Sequence, residues 1–177
     1  MRLPSTVLIG GGAVGLLLLS NAALALHDMR PPLPEAARAD LVLIEKSQHR
    51  LTLIANGHRL RSYMVALGRG GLARKEREGD GRTPEGLYRI DRQLAHSRYH
   101  RALHINYPSV EDADAARRRH EAPGGAVMIH GMRNGLGWIG PWHRLMDWTN
   151  GCVAVTDDEI DEIARVAPEG TRVDIRH

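Results

Sequence analysis

The sequence predicts a mainly-β domain, on three observations. Apolar segments of roughly four to eight residues with period-two alternation recur between Leu41 and Ile175, about seven of them. Clusters of Gly, Pro and Asn separate these segments and supply the turns. Only Asp157–Val166 combines helical spacing of its apolar residues with a helix start signal.

Taken in order, Leu41-Val42-Leu43-Ile44 opens the first strand and Leu51-Thr52-Leu53-Ile54 the second. Ala55-Asn56-Gly57 is a hairpin signal before the alternating run Leu60–Leu67, so the domain begins as a β-meander. Gly68–Asp80 is dense in glycine and charge and reads as a mobile, solvated surface loop. Thr83-Pro84-Glu85-Gly86 turns into the strand Leu87–Ile90. His96, His100 and His104 lie four apart, but Ala102–Pro108 alternates as a strand, which would separate such residues by about 13 Å. That spacing argues against a metal site, with groove-lining by His100 or His104 as a milder use. Glu111–His120 is a charged, solvated helix in which nothing calls for a ligand. After Pro123-Gly124-Gly125, the segment Ala126–Ile129 is a buried strand ending at His130. Met132–Trp148, with three tryptophans, reads as a pocket wall or lid rather than a regular element, although its tryptophans could equally be satellite core. Val153-Ala154-Val155 is a short buried strand. Thr156-Asp157-Asp158-Glu159 is a capping box for the helix Asp157–Val166, whose inner face carries Ile160 and Ile163. Thr171–Ile175 is a final strand.

Length and composition bound the function. The 177 residues hold one domain and a leader. The net charge of +3 is spread along the chain with no dense basic block, so no nucleic-acid partner is indicated. Phenylalanine is absent, leaving Leu, Ile and Val to fill the core. No P-loop or dinucleotide fingerprint is present. Residues 1–26 read as a signal peptide or membrane anchor: Arg2, the apolar run Val7–Leu19, and the small-x-small site Ala23-Leu24-Ala25. Residues 27–38 form a Pro-rich spacer, and 39–176 the folded domain that carries the candidate site. The expected location is the periplasm or cell envelope, with membrane contact only through the amino-terminal segment if it is not cleaved.

The chemistry concentrates in Met128–Val155. Cys152 is the only cysteine. Exported domains pair their cysteines, so a lone one in a Gly-Cys motif is either a packed thiol or a working nucleophile. His130 upstream would complete a thiol–imidazole pair for acyl transfer.

Ile129-His130-Gly131 followed at a distance by Thr149-Asn150-Gly151-Cys152-Val153 resembles the signature of the L,D-transpeptidase catalytic domain (YkuD) family, a histidine and then Ser/Thr-His-Gly-Cys. Gly79-Asp80-Gly81-Arg82-Thr83-Pro84-Glu85-Gly86-Leu87-Tyr88 is similar to that family's GD-x-(K/R)-TPEG-x-(F/Y) block. The resemblance spans about Leu41 to Ile175. Two positions depart from it: Asn150 stands where the common motif has a second histidine, and Ala154 where many members carry arginine. The interval of 21 residues between His130 and Cys152 is also long, which marks a branch with a Trp-Thr-x-Gly-Cys motif.

The resemblance implies a curved β-sandwich with one or two short helices. It also implies acyl transfer on peptidoglycan stem peptides through a thioester on Cys152, for cross-link formation or protein attachment to the wall. His130 would move the proton, the Gly131 carbonyl would orient the imidazole, and the amides of Gly151 and Cys152 would hold the oxyanion. Thr149, Asn150, Gly151, Trp148, Arg144 and His143 are the candidate substrate-binding residues. No metal and no organic cofactor is called for. The partners implied are stem peptides, with a wall-attached protein as a possible acceptor. Alternatives stay open: an L,D-carboxypeptidase or amide hydrolase using water, a non-catalytic wall-binding module, and a zinc peptidase built on the histidines.

Overall fold

The computed structural model describes residues 31–177, so the leader assigned to 1–26 and the start of the spacer lie outside the described residues. Eight strands are formed: β1 (Leu41–Glu45), β2 (Arg50–Ala55), β3 (His58–Met64), β4 (Gly86–Leu94), β5 (Ala102–Ile105), β6 (Met128–His130), β7 (Val153–Ala154) and β8 (Arg172–Arg176). Two α-helices, α1 (Val110–Arg118) and α2 (Asp157–Val166), accompany them. The strands make one sheet in the order β3-β2-β1-β8-β4-β5-β6-β7. β1 runs parallel to β8 and β6 parallel to β7, and every other pairing is antiparallel.

The sheet curls because β4 serves two neighbours. Gly86–Arg89 pairs with β8, and the stretch from Ile90 to Leu94 pairs with β5 across a register shift between Ile90 and Arg92. An extra residue at such a shift bends the strand and raises its twist. The two far edges of the sheet then meet. Beyond β3, Ala66 exchanges both backbone hydrogen bonds with Ala154 of β7, at 3.0 and 2.8 Å, and Thr149 bonds Leu67 and Arg69 in the same seam. The curved sandwich is therefore a single rolled sheet whose edge strands protect each other.

Local sequence explains the pieces. In β1 the alternation places Val42 and Ile44 in the core. Asn56 and Gly57 both adopt positive φ, 51° and 78°, as a two-residue hairpin turn requires. The core is aliphatic, built on Leu51, Leu53, Ile90, Leu103, Ile105, Ile129 and Val173, with Tyr63, Tyr88 and Tyr107 at its margins. Helix α2 closes over it with Ile160, Ile163 and Val166, each worth about 1.5–3 kcal/mol of burial. Its capping box is complete, Thr156 accepting from the Glu159 amide and Glu159 from the Thr156 amide.

Four expectations need correction. Gly68–Asp80 is exposed for most of its length, but not all of its charges face solvent: Lys75 and Asp80 pair at 2.9 Å with side chains 5% and 7% exposed. Asp80 also accepts the amides of Glu76, Arg77 and Arg82. Burial would raise its carboxyl, but these amides and the Lys75 ammonium hold it at about 2. Buried Lys46 ties the same loop down through Ala73 O, Thr83 O and Glu85. Composition alone counted Lys75 and Asp80 as solvent-facing with the rest of the loop; their pairing reverses that for these two. Helix α1 is not wholly solvated either, since Asp112 is buried against Tyr88 and Arg74. The connection Met132–Trp148 contains a 3-10 segment, Gly137–Leu145, kinked at Gly140. Finally, the spacer docks from Leu33 onward: Leu33 N–H reaches Glu162, and Arg165 holds the carbonyls of Leu33 and Pro34.

Candidate active site

His130 ends β6 and Cys152 stands just before β7, the parallel neighbour of β6. His130 is the register partner of Ala154, and side-chain alternation puts Cys152 on the same face as Ala154. The imidazole and the thiol are thus diagonal neighbours on one face of adjacent strands.

The imidazole is completely buried. It stacks on Tyr99, with ring centroids 3.8 Å apart, and meets Trp148 edge-on at 5.7 Å. Its Nδ1–H donates to the Gly131 carbonyl at 2.7 Å, which fixes the tautomer and leaves Nε2 as the lone pair. Nε2 has no hydrogen-bond partner among the described residues. Burial lowers the His130 pKa to about 4 against the opposing pull of the Gly131 carbonyl, so the ring is neutral at pH 7.

Cys152 is partly exposed. Its thiol faces the Ala126 carbonyl at 3.7 Å. Burial raises its pKa, opposed by the Met128 amide and the positive charge of Lys75. With Nε2 unpartnered, the resting pair is a neutral thiol and a neutral imidazole that are not hydrogen-bonded. Such catalytic contacts commonly tighten only when substrate is bound.

The remaining predicted residues divide by role. Thr149 is buried; its hydroxyl donates to Cys152 O at 2.8 Å and accepts the Gly151 N–H at 3.1 Å, shaping the turn that presents the thiol. The Gly151 N–H is thereby engaged within the turn. Gly151 has φ +123°, and a Cβ there would meet Arg82 O at 2.6 Å, so only glycine fits. Asn150 is exposed and lines a cleft of about 330 Å³ together with Arg69, Lys75, Glu78, Gly79, Gly81, Gly124 and Gly125. Trp148 donates its indole N–H to Nδ1 of His143 at 3.4 Å. His143 is buried, and burial first, then the charge of Arg144 and that of His130 when it is protonated, lower its pKa to about 4. Arg144 is turned away into an ion pair with Glu159, the capping-box residue of α2. Trp138 and Trp142 are exposed, at 81% and 53%, which removes the satellite-core reading for both.

Sequence reasoning missed Tyr99 and Lys75. Tyr99 lay in a polar stretch without periodicity, and only the scarcity of aromatics, 4% of the chain, could have drawn attention to it. Lys75 was hidden among the loop charges. Of the spaced histidines, His100 binds Asp161 at 2.8 Å and His104 binds Asp91 at 2.6 Å. Among the described residues no three His, Cys, Asp or Glu side chains converge as metal ligands, and no helix is long and apolar enough to cross a membrane.

Comparison with known proteins gives the family and the fold. The family model of the L,D-transpeptidase catalytic domain (YkuD) matches residues 39–175. YafK of Escherichia coli (strain K12), which carries a provisional L,D-transpeptidase name, is 35% identical over 106 residues, 59% of this chain and 35% of its own length. The chain thus matches about a third of that curated relative. Among solved structures, the helical cell shape determining protein Pgp2 of Campylobacter jejuni aligns with TM-score 0.63 at 23% identity, over 80% of this chain and 48% of that one. An L,D-transpeptidase of Xylanimonas cellulosilytica aligns with TM-score 0.54 at 19% identity, over 88% and 69%. These two likenesses bear on the fold.

Proposed function

Because the chain belongs to the L,D-transpeptidase catalytic domain family, we propose that it is an exported enzyme that transfers acyl groups of peptidoglycan stem peptides through a thioester on Cys152. The observation that carries this reading is the pinned imidazole. His130 presents a bare Nε2 lone pair on the face it shares with the only thiol of the chain. That arrangement is a base waiting for a proton.

The cleft beside Asn150 receives the donor stem peptide, with the exposed Arg69 as a cation for its carboxylates. Substrate displaces the thiol from Ala126 O, and rotation about χ1 of Cys152 brings Sγ to Nε2. The proton passes from Sγ to Nε2 as sulfur attacks the amide carbonyl between the L-centre of the diamino acid and the terminal D-alanine. The C–N bond breaks, the imidazolium returns the proton to the leaving amine, and the acyl group remains on sulfur. The Cys152 amide supports the oxyanion, a donor of a kind worth about 2.7–4 kcal/mol. An acceptor amine, from a second stem peptide or a wall-attached protein, or water, then releases the acyl group. Trp148 and Tyr99 hold the imidazole plane throughout. The Trp-Thr-x-Gly-Cys stretch works by the same geometry, Thr149 building the turn and Trp148 the wall of the ring.

The test is product analysis of muropeptides incubated with the purified domain and with Cys152→Ala. Cross-linked dimers would identify an amine acceptor and shortened monomers would identify water. Sacculus binding with no product in either protein would replace the enzyme reading by a binding module.

A further inference from the structure

We propose that Asp157 is a positioning residue for His130, acting through the peptide unit that joins Gly131 to Met132. In a trans peptide the carbonyl and the N–H point in opposite directions. Oδ1 of Asp157 accepts the Met132 N–H at 2.7 Å, and at the other end of the same unit the Gly131 carbonyl accepts Nδ1–H of His130, also at 2.7 Å. The carboxylate therefore fixes the plane of the peptide whose oxygen fixes the imidazole. Hydrogen bonds in such a chain polarise one another, and a charged acceptor at its end strengthens each link.

The seat of this carboxylate is built for it. A Cβ on Gly131 would lie 2.7 Å from Oδ1, and one on Gly137 would lie 2.3 Å from Oδ2. Both glycines leave room for the carboxylate itself. Asp157 is the first residue of α2, where the helix N-terminus favours negative charge. The other charged groups facing it are His100, whose Nδ1 lies 4.0 Å from Oδ2, and beyond it Asp161, which binds both His100 and Arg101. In a Ser-His-Asp triad the carboxylate touches the imidazole directly. Here one peptide unit stands between them, and the imidazolium formed during acyl transfer feels the charge through it. This last step rests on the function proposed above; the hold on the Nδ1–H tautomer does not.

The experiment compares Asp157→Ala, Asp157→Asn and Asp158→Asn in the full domain, with two readouts. One is the nitrogen NMR signature of the His130 ring, which reports the Nδ1–H tautomer without needing turnover. The other is steady-state acyl transfer. Asp158 is exposed in the same first turn, so its variant removes the same helix-terminal charge without touching Met132. Asp157→Ala is expected to lose the single-tautomer signal and to lower kcat by about 10–100-fold, the range for residues that orient a ligand from behind, with KM little changed. Asp157→Asn keeps an acceptor oxygen and should fall between, preserving the tautomer while losing part of kcat. It also serves if the alanine variant does not fold. Asp158→Asn should behave as wild type. A wild-type tautomer signal in folded Asp157→Ala, unchanged kcat in Asp157→Asn, or an equal loss in Asp158→Asn overturns the proposal. If Cys152→Ala and His130→Gln leave activity intact, the functional reading fails separately, and the NMR comparison still decides the hold on His130.

Discussion

Acidification between pH 6.5 and 4.5 should destabilise this fold chiefly through His130 and His143. Both are buried with pKa lowered from 6.5 to about 4. Between those values the unfolded chain binds more protons than the folded one, so stability rises with pH. The stabilisation is fully present above pH 6.5 and is lost as pH falls toward 4. Each pH unit inside that interval is worth about 1.36 kcal/mol per ring, so moving from pH 7 to 4.5 removes about 2 kcal/mol for each and about 4–5 for the two. His100 works the other way, since Asp161 raises its pKa, and its protonation adds stability as pH falls. The carboxylates of Asp80, Asp112 and Asp161 are depressed, so their contribution is lost only at lower pH and leaves the window to the histidines. Urea unfolding midpoints at pH 7 and 4.5 measure the effect. His130→Gln and His143→Gln should each flatten the drop by about half, and His100→Gln should steepen it. An equal pH dependence in wild type and the His130→Gln/His143→Gln double variant would refute the burial argument for both rings.

Three further outcomes follow from the site. Alkylation of Cys152 in the free protein should be slow at pH 7 and climb only on the alkaline side of the ordinary thiol range, because burial raises the thiol's pKa, with His130→Gln within about twofold of wild type; an acidic rate plateau abolished by that variant would show a preformed ion pair instead. Gly151→Ala should cost about 2–3 kcal/mol in a thermal melt and most of the activity, because its Cβ meets Arg82 O in a backbone region other residues avoid. Lys75→Met should cost about 3 kcal/mol by leaving Asp80 buried without its counter-charge, and should move the alkylation profile to higher pH; an unchanged profile would show that Lys75 does not act on the thiol.

The strands were legible because their signals are local. Asn56-Gly57, the alternation in β1, and the capping box of α2 each specify their element without distant partners. The Gly-Cys turn and the histidine before it were legible as motif. What stayed hidden depends on long-range pairing. The corner in β4 comes from two different neighbours, β8 and β5, which no local pattern in Leu87–Leu94 announces. Lys75 and Asp80 read as solvated along with the other charges of Gly68–Asp80 because nothing in the run says that Lys75 folds back on Asp80, or that Lys46 reaches in from β1's end. The ion pair between Arg144 and Glu159 joins residues fifteen apart, and neither local segment announces it. Asp157 read as a helix-start residue for the same reason, its hold on the Met132 amide being visible only once the fold brings the two together.

Whether Cys152 carries the acyl group is tested most directly by mixing the domain with tetrapeptide muropeptides, quenching in acid and recording the intact mass. The expected result is an adduct of the stem peptide minus its terminal D-alanine, mapped to Cys152, absent in Cys152→Ala, and formed far more slowly in His130→Gln. Turnover of the same muropeptides without any adduct on Cys152, or undiminished in Cys152→Ala, would contradict the thioester mechanism.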